Sequence, residues 1–519
     1  STLGVLKMLS KVMSFGLKGI EGYPMDVETD VSNGLPHFEI VGLADTAIKE
    51  AKERVRSAIK NSAFEYPAKR ITVNLAPADI KKEGALYDLA IAIAILSCNE
   101  ENKIKDEDKY VYIGELSFDG SVKQVRGVLP LLISARKLGY KKFIIPLANK
   151  LEASFISGID IYGVTSLKQT VNFLSGEEKL QPIESCDYQS LHKSSENTGM
   201  DFCNVKGQAM AKRALEIAAA GGHNLLMIGP PGSGKSMLAK CFPSILPDMT
   251  FDEALEVTKI HSIAGELDLN KGIVSTRPFR SPHHTASTVS LTGGGSNSKP
   301  GEISLADHGV LFLDEFPEYS RQTIETLRQP LEDGVITVAR SNATITYPAN
   351  FTLIASMNPC PCGNYGSRDK ECRCTPGQIS KYLSKLSGPI MDRIDIHIEV
   401  DNVTYDQLKS EDKEEHSADI KKRVDRARAI QLERFKNDKN YCNAKMTSAQ
   451  TKKYCTLDSS CDQMLRNAFE KLKLSARAHD RILKVARTIA DLEGSEEIKA
   501  MHLAEAISYR MMDRKYWRE

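Results

Sequence analysis

The chain has 519 residues, which exceeds one typical domain core and predicts about two to four domains. A hydrophobic fraction of 41% with a charged fraction of 26% is typical of globular proteins and excludes a disordered chain. Because the net charge is only +1, no overall field attracts nucleic acid, and DNA contact would require a local basic patch.

The N-terminal part of the sequence, residues 1–175, alternates strand-like and helix-like patterns, which predicts an α+β domain with its own core. The expected strands read FEIVGL, RITVNLAP, YVYIGEL and KKFIIP. The expected helices read TAIKEAKERVRSAIKNS, ALYDLAIAIAILSC and VLPLLISARKLG. Residues 176–200 are polar and without periodicity, so we interpret them as a linker.

One predicted helix of this domain, residues 46–60, carries positive charge along one face. Its basic residues fall at i, i+3, i+7 and i+11, and they are Lys49, Lys52, Arg56 and Lys60. Such a stripe is a candidate surface for the phosphates of DNA. Because Glu50 and Glu53 interrupt the stripe, an ordinary solvated face is the alternative interpretation.

The remaining sequence predicts two further regions. Residues 201–400 alternate β and α segments in the manner of a parallel sheet, and residues 401–519 are helical. The predicted fold class is therefore a multidomain α/β protein with a helical C-terminal domain. No apolar run reaches about 18 residues, and no signal peptide is visible, so we expect a cytoplasmic protein without a membrane partner.

A glycine-rich loop follows the apolar strand at 225–228 and precedes a helical segment. The loop reads Gly229, Pro230, Pro231, Gly232, Ser233, Gly234, Lys235 and Ser236, and the helix continues with Met237. Its spacing, GxxxxGK[ST] between a strand and a helix, is specific for a phosphate-binding P-loop. Backbone N–H groups and the helix N-terminus favour bound phosphates. We expect Lys235 to reach the β- and γ-phosphates of ATP and Ser236 to ligate Mg²⁺.

A second apolar strand, at 310–313, ends in Asp314 and Glu315. Two acids delivered to the end of such a strand are typical of a Walker B site. There Asp314 would hold Mg²⁺, and Glu315 would orient and deprotonate the attacking water. A third strand, at 351–357, ends at Asn358, which we interpret as a sensor of the γ-phosphate. A turn-forming Asn before Pro359 is the alternative for that residue.

These motifs together resemble AAA+ ATPases, and the resemblance extends beyond them. The segment 201–208 resembles the one that packs over adenine, and SGPIMDRID at 387–395 resembles an element of magnesium-chelatase motors and MCM helicases. The resemblance implies that Arg393 is an arginine finger reaching the nucleotide of a neighbouring subunit. It also implies that Arg477 is the sensor 2 arginine, with Arg487 as a rival. For either arginine a plain salt bridge is the alternative. A finger acting between subunits implies a ring, by family a hexamer.

Two insertions lie around the Walker B strand. One holds RPFRSPHHTAS at 277–287 followed by Gly293–Gly295, and the other holds two β-rich runs around Ser341 and Asn342. The second resembles the pre-sensor hairpin of the chelatase and MCM group, which implies that Arg340 and Asn342 touch a translocated strand. A hairpin that only packs an interface is the alternative. For the pair His283 and His284 we favour polar loop contacts over a metal site.

The chain has eleven cysteines, and four of them cluster as CxC, nine residues, CxC. They are Cys360, Cys362, Cys372 and Cys374. Four thiolates within such a short stretch suit one structural Zn²⁺ in a reducing compartment, with free or oxidisable thiols as the alternative. Four protein ligands leave no open position, so we assign the site no catalysis.

Residues 71–147 resemble the Lon-protease-like domain, an α+β domain of the ribosomal-protein S5 domain 2 type. The protease needs a nucleophilic Ser and an activating Lys, but those places fall on Leu86 and Leu129. We therefore predict no proteolysis.

The order of these parts resembles the ComM/YifB family throughout, closing on HLAEAISYR at 502–510. That resemblance implies a bacterial, hexameric, ATP-dependent DNA helicase that drives branch migration when incoming DNA recombines during natural transformation. Single-stranded and branched DNA, and recombinase filaments on DNA, are the implied partners. A chelatase-type motor that remodels a partner protein is the main alternative. An active protease and an ATP-binding scaffold fit the residues less well.

Overall fold

The computed structural model describes residues 9–43, 45–80, 82, 84–188, 200–268, 270–295, 299–339, 344–366, 370–405, 409, 414–438 and 440–517. The chain forms two compact units. The first comprises residues 1–194 and 251–275, and the second comprises residues 195–250 and 276–519. Residues 251–275, which the sequence places inside 201–400, thus belong to the N-terminal unit. The C-terminal helices share a unit with the parallel sheet.

A mixed seven-stranded sheet forms the centre of the first unit. Its strands, in their order across the sheet, are His37–Val41, Arg70–Ala76, Glu21–Ser32, Leu9–Lys18, Val111–Tyr112, Lys142–Pro146 and Asp160–Val164. The first two strands of the chain pair antiparallel over their whole length, from Leu9 opposite Asp30 to Lys18 opposite Glu21. The short strands Glu115–Leu116 and Val122–Lys123 pair with each other.

Six α-helices accompany this sheet among the described residues, and the predicted helices of the N-terminal domain are confirmed. They are Thr46–Asn61, Asp88–Ser97, Val128–Lys137, Lys150–Ser154, Leu167–Ser175 and Phe251–Ala264. Every residue of Asp88–Ser97 is buried, which explains why DLAIAIAILS shows no polar face. Helix Thr46–Asn61 is amphipathic instead, and Asp45 caps it by accepting a hydrogen bond from the N–H of Ile48.

One buried ion pair joins these two helices. The guanidinium Nε of Arg54 donates to Asp88 Oδ2 at 2.7 Å, and the N–H of Leu116 donates to the same oxygen at 3.3 Å. Burial raises the pKa of Asp88 to about 6, although Arg54 opposes that shift. The carboxylate therefore depends on Arg54 for its place in an apolar core.

The helix Phe251–Ala264 is fixed in the first unit through a buried carboxylate. Ser262 Oγ donates to Glu152 Oε1 at 2.6 Å, and the N–H of Leu129 donates to the same atom at 2.8 Å. Ser262 Oγ also accepts the N–H of Gly127 at 3.0 Å. Burial raises the pKa of Glu152, and these donors partly offset that rise. The contacts make a segment from the middle of the sequence part of the N-terminal core.

A parallel five-stranded sheet forms the centre of the second unit. Its strands, in their order across the sheet, are Phe279–Arg280, Val310–Leu313, Thr352–Met357, Leu225–Ile228 and Ile396–Glu399. All residues of Leu225–Ile228 and Val310–Leu313 are buried, as expected for strands covered on both faces. This unit also contains two separate antiparallel ribbons of two strands each: Gly293–Gly294 with Lys299–Pro300, and Val335–Ala339 with Thr344–Pro348.

Helices on and beyond this sheet make up the rest of the second unit. Those of the sheet region are Ala209–Gly221, Lys235–Cys241, Thr288–Thr292, Glu302–Leu305, Arg321–Thr326, Arg328–Asp333, Pro376–Leu383 and Gly388–Met391. Those of the C-terminal region are Ser417–Arg434, Ser448–Tyr454, Ser459–Leu472, Ala476–Leu492, Ala500–Ser508 and Met512–Tyr516. One hydrophobic core spans both groups, with Ile217 and Ala486 among its buried members. None of the described helices is long and apolar enough to cross a bilayer.

We predict that Asp88→Ala lowers the free energy of unfolding of the first unit by about 3 kcal/mol, because it leaves the largely buried Arg54 guanidinium without its partner. Urea denaturation measures this loss. Glu53→Ala, which removes an exposed carboxylate from the same helix as Arg54, is the control and should change stability little. Equal stability of the two variants would contradict the assigned role of the ion pair.

Candidate functional site

The glycine-rich loop connects the buried strand Leu225–Ile228 to the helix Lys235–Cys241. Gly232 and Gly234 have φ values of 81° and 90°, in the left-handed region that favours glycine. Gly229 lies directly against the carbonyl oxygen of Val400, where a Cβ atom would not fit. The local structure is the strand, loop and helix that the P-loop motif requires.

The Lys235 side chain is held over this loop and is only 8% exposed. Its Nζ donates to the carbonyl oxygens of Gly229 and Pro230, at 2.8 Å each. Burial lowers the pKa of Lys235 to about 8, and the charges of Asp314 and Glu315 oppose that shift. An ammonium placed among backbone carbonyls and N–H groups, close to two carboxylates, fits a site for phosphate and a divalent cation.

The carboxylate of Asp314 accepts hydrogen bonds from two hydroxyl groups, one on the P-loop helix and one on the neighbouring strand Thr352–Met357. Ser236 Oγ donates to Asp314 Oδ2 at 2.7 Å, and Ser356 Oγ donates to Asp314 Oδ1. The N–H of Glu315 also donates to Oδ1, at 3.0 Å. Ser236 and Asp314, predicted from separate motifs as Mg²⁺ ligands, therefore lie in direct contact. Hydroxyl and carboxylate oxygens are ligands that Mg²⁺ prefers.

Glu315 lies exposed at the end of the Walker B strand and has a φ of 51°. Its Oε2 is 3.3 Å from Nδ1 of His284. The His284 ring lies 4.1 Å from that of His283 and 6.4 Å, edge to face, from that of Tyr319. The Tyr319 hydroxyl in turn donates to the carbonyl of Pro282 at 2.6 Å. His284 thus lies close enough to contact the carboxylate that we expect to act as the base.

The sequence predicts polar loop contacts for His284 but gives no indication of a contact with Glu315. The signal is weak because Glu315 comes 31 positions after His284. The contact depends on the adjacent strands Phe279–Arg280 and Val310–Leu313, which run parallel. Among the described residues, no group of metal-ligating side chains includes either histidine.

Asn358 follows the strand Thr352–Met357 and is half-buried. That strand lies between the P-loop strand and the Walker B strand, with Met357 opposite Ile228 and Ala355 opposite Leu313. The carboxyl ends of these parallel strands meet at one edge of the sheet, as in other open α/β sheets that bind ligands there. The structure thus places Asn358 at the same edge as the P-loop and Asp314.

The segment predicted to pack over adenine contacts the P-loop. Asp201 caps the short turn Phe202–Asn204, and its Oδ1 accepts the N–H of Cys203 at 2.8 Å. Gln208 Nε2 donates to the carbonyl of Ser233 at 3.2 Å and to that of Asp401 at 2.6 Å. Gln208 therefore joins this segment to the phosphate loop.

The two arginines expected to act in hydrolysis lie beside the same carboxylate, that of Glu332. Arg393 is buried, and its guanidinium contacts the Glu332 carboxylate and donates to the carbonyl of Pro389 at 2.7 Å. Arg477, at the start of the helix Ala476–Leu492, lies 3.6 Å from the other oxygen of Glu332. The rival candidate Arg487 is buried between Asp491 and the carbonyls of Ser495 and Glu496. It has a structural role there, which favours Arg477 as the sensor.

The predicted hairpin before the sensor strand is confirmed, with Val335–Ala339 antiparallel to Thr344–Pro348. The candidate DNA contacts Arg340 and Asn342 fall between these two strands in the sequence and lie outside the described residues. The helix Thr288–Thr292 and the glycines after it line a cavity together with residues of this hairpin, among them Ile336, Thr337 and Val338. The two insertions therefore lie side by side in the second unit.

The four cysteines of the cluster converge. Their sulfur atoms lie within 4.8 Å of one another, and three Sγ–Sγ distances are 3.4, 3.6 and 3.7 Å. A tetrahedral Zn²⁺ with Zn–S bonds of about 2.3 Å requires sulfurs about 3.8 Å apart, so the geometry fits this ion. Backbone N–H groups of Asn364 and Arg373 lower the pKa of Cys362 to about 6. Gly363 of this loop lies against Pro231 of the P-loop.

The basic helix of the first unit presents its charges as predicted. Lys49, Arg56 and Lys60 are exposed and Lys52 is half-buried, while the opposite face packs into the core. The exposed acids Glu50 and Glu53 also lie on this helix. In the same unit, Leu129 is fully buried in the core and Leu86 is partly buried against it. Neither side chain can serve as a nucleophile or a base, and the Lon-like origin of this domain stays a prediction.

Family models of the magnesium chelatase subunit match most of the chain. A model described as magnesium chelatase, subunit ChlI, matches residues 201–408. One described as subunit ChlI of Mg-chelatase matches residues 27–149, and the C-terminal ChlI model matches residues 414–510. The first model therefore covers the candidate ATP site, and the third covers the C-terminal helices up to Ala500–Ser508.

Individual proteins that are similar to this chain differ in how much of it they cover, and two of them match nearly its full length. The chain is 45% identical over 508 residues to Competence protein ComM of Haemophilus influenzae, covering 98% of both chains. It is 44% identical over 507 residues to the YifB protein of Escherichia coli, again covering 98% of both. The magnesium-chelatase 67 kDa subunit of Chlorobaculum parvum is 27% identical over 164 residues, which is 30% of this chain and 23% of that protein.

We predict that His284→Ala lowers the turnover number of ATP hydrolysis by about tenfold, because an outer partner that orients the reacting carboxylate is removed. Nucleotide affinity should change little, since His284 lies by Glu315 and not at the P-loop. Steady-state kinetics separates the two quantities.

The matched control is His283→Ala, because His283 Nδ1 contacts Thr285 and not Glu315. The control should stay close to wild-type turnover. If both variants hydrolysed ATP at the wild-type rate, His284 would have no part in orienting Glu315.

Proposed function

The chain belongs to the ComM/YifB family of magnesium-chelatase-like AAA+ ATPases, and on that premise we propose that it is an ATP-driven DNA motor. The observation that carries the ATPase is the contact of Ser236 with Asp314 beside Lys235 and Glu315. The DNA part rests on full-length similarity to a competence protein and on the basic helix Thr46–Asn61. The proposed activity is branch migration during recombination of incoming DNA in natural transformation.

Each residue of the site has one proposed task. The P-loop N–H groups and Lys235 bind the phosphates of ATP, while Ser236 and Asp314 ligate Mg²⁺. Bound Mg²⁺ neutralises charge on the β- and γ-phosphates. Glu315, oriented by His284, accepts the proton of the attacking water, and Asn358 positions that water.

Two arginines complete the proposed site: Arg393, from the segment 387–395 (the finger segment), and Arg477, from the C-terminal helix Ala476–Leu492. Arg393 would stabilise negative charge on the nucleotide of a neighbouring subunit, which requires a ring, and the family implies a hexamer. Single-stranded and branched DNA would pass the hairpin tip at Arg340 and Asn342. The stripe Lys49, Lys52, Arg56 and Lys60 would contact DNA phosphates. We also propose that the protein acts in the bacterial cytoplasm, where it would meet recombinase filaments on DNA.

A protein-remodelling ATPase without DNA activity is the second candidate. It is favoured by the family models, all three of which carry the name of the magnesium chelatase subunit. The similarity to a chelatase subunit nevertheless covers only 30% of this chain, whereas the similarity to Competence protein ComM covers 98%. We therefore favour the DNA motor.

The cysteine cluster is proposed to hold one structural Zn²⁺ through Cys360, Cys362, Cys372 and Cys374. The ion would fix the loop whose Gly363 packs on Pro231, and so support the P-loop from outside. It would take no part in hydrolysis, because four protein ligands complete its coordination.

For the zinc site we predict about one Zn²⁺ per chain by elemental analysis. Removing the metal with a chelator should lower the unfolding temperature by roughly 5 °C, because metal binding stabilises the folded loop. Cys372→Ser should show the same loss without a chelator. Cys186→Ser is the control, since Cys186 is exposed and outside the cluster. If the purified protein contained no zinc and the chelator left its unfolding temperature unchanged, the zinc site would be contradicted and the four cysteines would be free thiols.

For the motor we predict that the intact protein moves the junction of a synthetic branched DNA when ATP and Mg²⁺ are present. Lys235→Ala should abolish movement by weakening nucleotide binding, and Glu315→Gln should abolish it while ATP still binds. Gel electrophoresis of labelled strands measures the movement, and nucleotide-binding titrations distinguish the two variants.

The outcome also decides between the two candidate functions. No movement by the intact protein, with an ATPase rate indifferent to DNA, would contradict the DNA motor and leave the remodelling ATPase. Lys49→Glu combined with Lys60→Glu should weaken DNA binding without changing the ATPase rate in the absence of DNA, because the helix Thr46–Asn61 belongs to the other unit.

A further inference from the structure

Glu332 contacts both arginines that the proposed function places in ATP hydrolysis. One carboxylate oxygen contacts Arg393, and the other lies 3.6 Å from Arg477. The Glu332 side chain is 50% exposed, and the arginines lower its pKa, with the hydrogen bond from Arg393 as the largest cause. The Glu332 carboxylate thus connects the finger segment with the first turn of the helix Ala476–Leu492, which contains Arg477.

The contact withdraws Arg393 from solvent. Its side chain is only 8% exposed, and besides Glu332 it donates to the carbonyl of Pro389 within its own segment. Arg477 keeps a side chain that is 56% exposed. An arginine held in this way against its own protomer does not extend toward a neighbouring subunit. To act there, Arg393 must exchange Glu332 for the phosphates of the neighbour.

Glu332 also belongs to the element that supports the insertion hairpin. It lies in the helix Arg328–Asp333, which leads through Gly334 into the strand Val335–Ala339. The Gln329 side chain binds Thr337 of that strand twice, donating to its Oγ1 at 3.1 Å and accepting its N–H at 3.2 Å. The helix and the hairpin strand are therefore joined by two side-chain hydrogen bonds, so we expect a displacement of the hairpin to be transmitted to the helix.

A second contact connects the same helix with the finger segment. Arg328 Nη2 donates to Ser387 Oγ at 3.2 Å, directly before the helix Gly388–Met391. Ser387 Oγ donates to Glu325 at 3.0 Å, and Glu325 pairs with Arg328. The helix thus holds both ends of the segment that carries Arg393, at Ser387 and at Arg393 itself.

We propose that Glu332 is a positioning residue that holds Arg393 inside the protomer, with Arg477 beside it, and releases Arg393 when the insertion hairpin is displaced by its substrate strand. This inference rests on the proposed function, in which Arg393 acts on a neighbouring subunit's nucleotide. Two contacts would connect the hairpin with hydrolysis: the hydrogen bonds between Gln329 and Thr337, and the ion pair between Glu332 and Arg393. ATP turnover without DNA is then restrained by the Glu332 contact.

The first test measures how accessible Arg393 is in the protein without nucleotide or DNA. Phenylglyoxal modifies exposed guanidinium groups, and peptide mass spectrometry reports the rate at each arginine. Glu332→Ala should raise the modification rate of Arg393 several-fold, because its partner is removed. The control Glu433→Ala, which removes a 76% exposed carboxylate whose ion pair among the described residues is with Lys436, should leave that rate unchanged. Equal protection of Arg393 in Glu332→Ala would overturn the proposal.

The second test measures steady-state ATP turnover with and without single-stranded DNA. Glu332→Ala should raise the turnover number without DNA several-fold at unchanged KM, and the stimulation by DNA should fall toward one. Gln329→Ala removes the hydrogen bonds to Thr337 of the hairpin but keeps the contact of Glu332 with Arg393. It should reduce the stimulation by DNA without raising the rate in the absence of DNA. An unchanged or lower DNA-free rate in Glu332→Ala would overturn the proposal.

The two proposals fail in different ways. If DNA does not stimulate the wild-type protein, the DNA motor is contradicted, whereas the accessibility of Arg393 and the DNA-free rate of Glu332→Ala still decide the role of Glu332. If DNA stimulates the wild type and Glu332→Ala equally, the motor stands and Glu332 is not the restraint.

Discussion

The carboxylate of Asp314 joins the parts of the second unit on which the candidate site depends. It accepts hydrogen bonds from Ser236, at the start of the P-loop helix, and from Ser356, on the strand between. The arrangement is possible because parallel strands bring their carboxyl ends to one edge of the sheet. Lys235, Glu315 and Asn358 follow from the same constraint, since each lies in the segment that leaves the carboxyl end of one of the three central strands. A change of strand order would separate them.

Contiguous motifs made the phosphate site predictable from the sequence. The P-loop, the Walker B acids and Asn358 each follow a short apolar strand, so local pattern and spacing identify them. Contacts between distant segments were not predictable in this way. His284 lies 3.3 Å from Glu315, and Glu332 contacts both Arg393 and Arg477, because the fold brings separate loops and helices together. Arg487 and its partner Asp491 are near in sequence, but the burial of Arg487 depends on how the helix Ala476–Leu492 packs.

The N-terminal fold was predicted in part. The helices and four strand regions follow their hydrophobic patterns, but the long antiparallel pair Leu9–Lys18 and Glu21–Ser32 is absent from the prediction. The buried face of the second strand includes Thr29, and Pro24 lies within it, so the alternation is not plainly apolar. The segment 251–275 lies between two ATP-site motifs in the sequence, yet it packs on Glu152 in the first unit. The chain therefore passes between the units three times, and the first unit is not a removable extension.

Mixing of two inactive variants tests most directly the central claim that hydrolysis is shared between subunits. Arg393→Ala has an intact P-loop without its finger, and Lys235→Ala has an intact finger without its P-loop. If Arg393 acts across a subunit boundary, mixed assemblies contain interfaces that combine both intact parts. We predict that the ATPase rate returns on mixing, although each variant alone is inactive. A mixture as inactive as its components would contradict an arginine acting between subunits and would confine hydrolysis to residues of one chain.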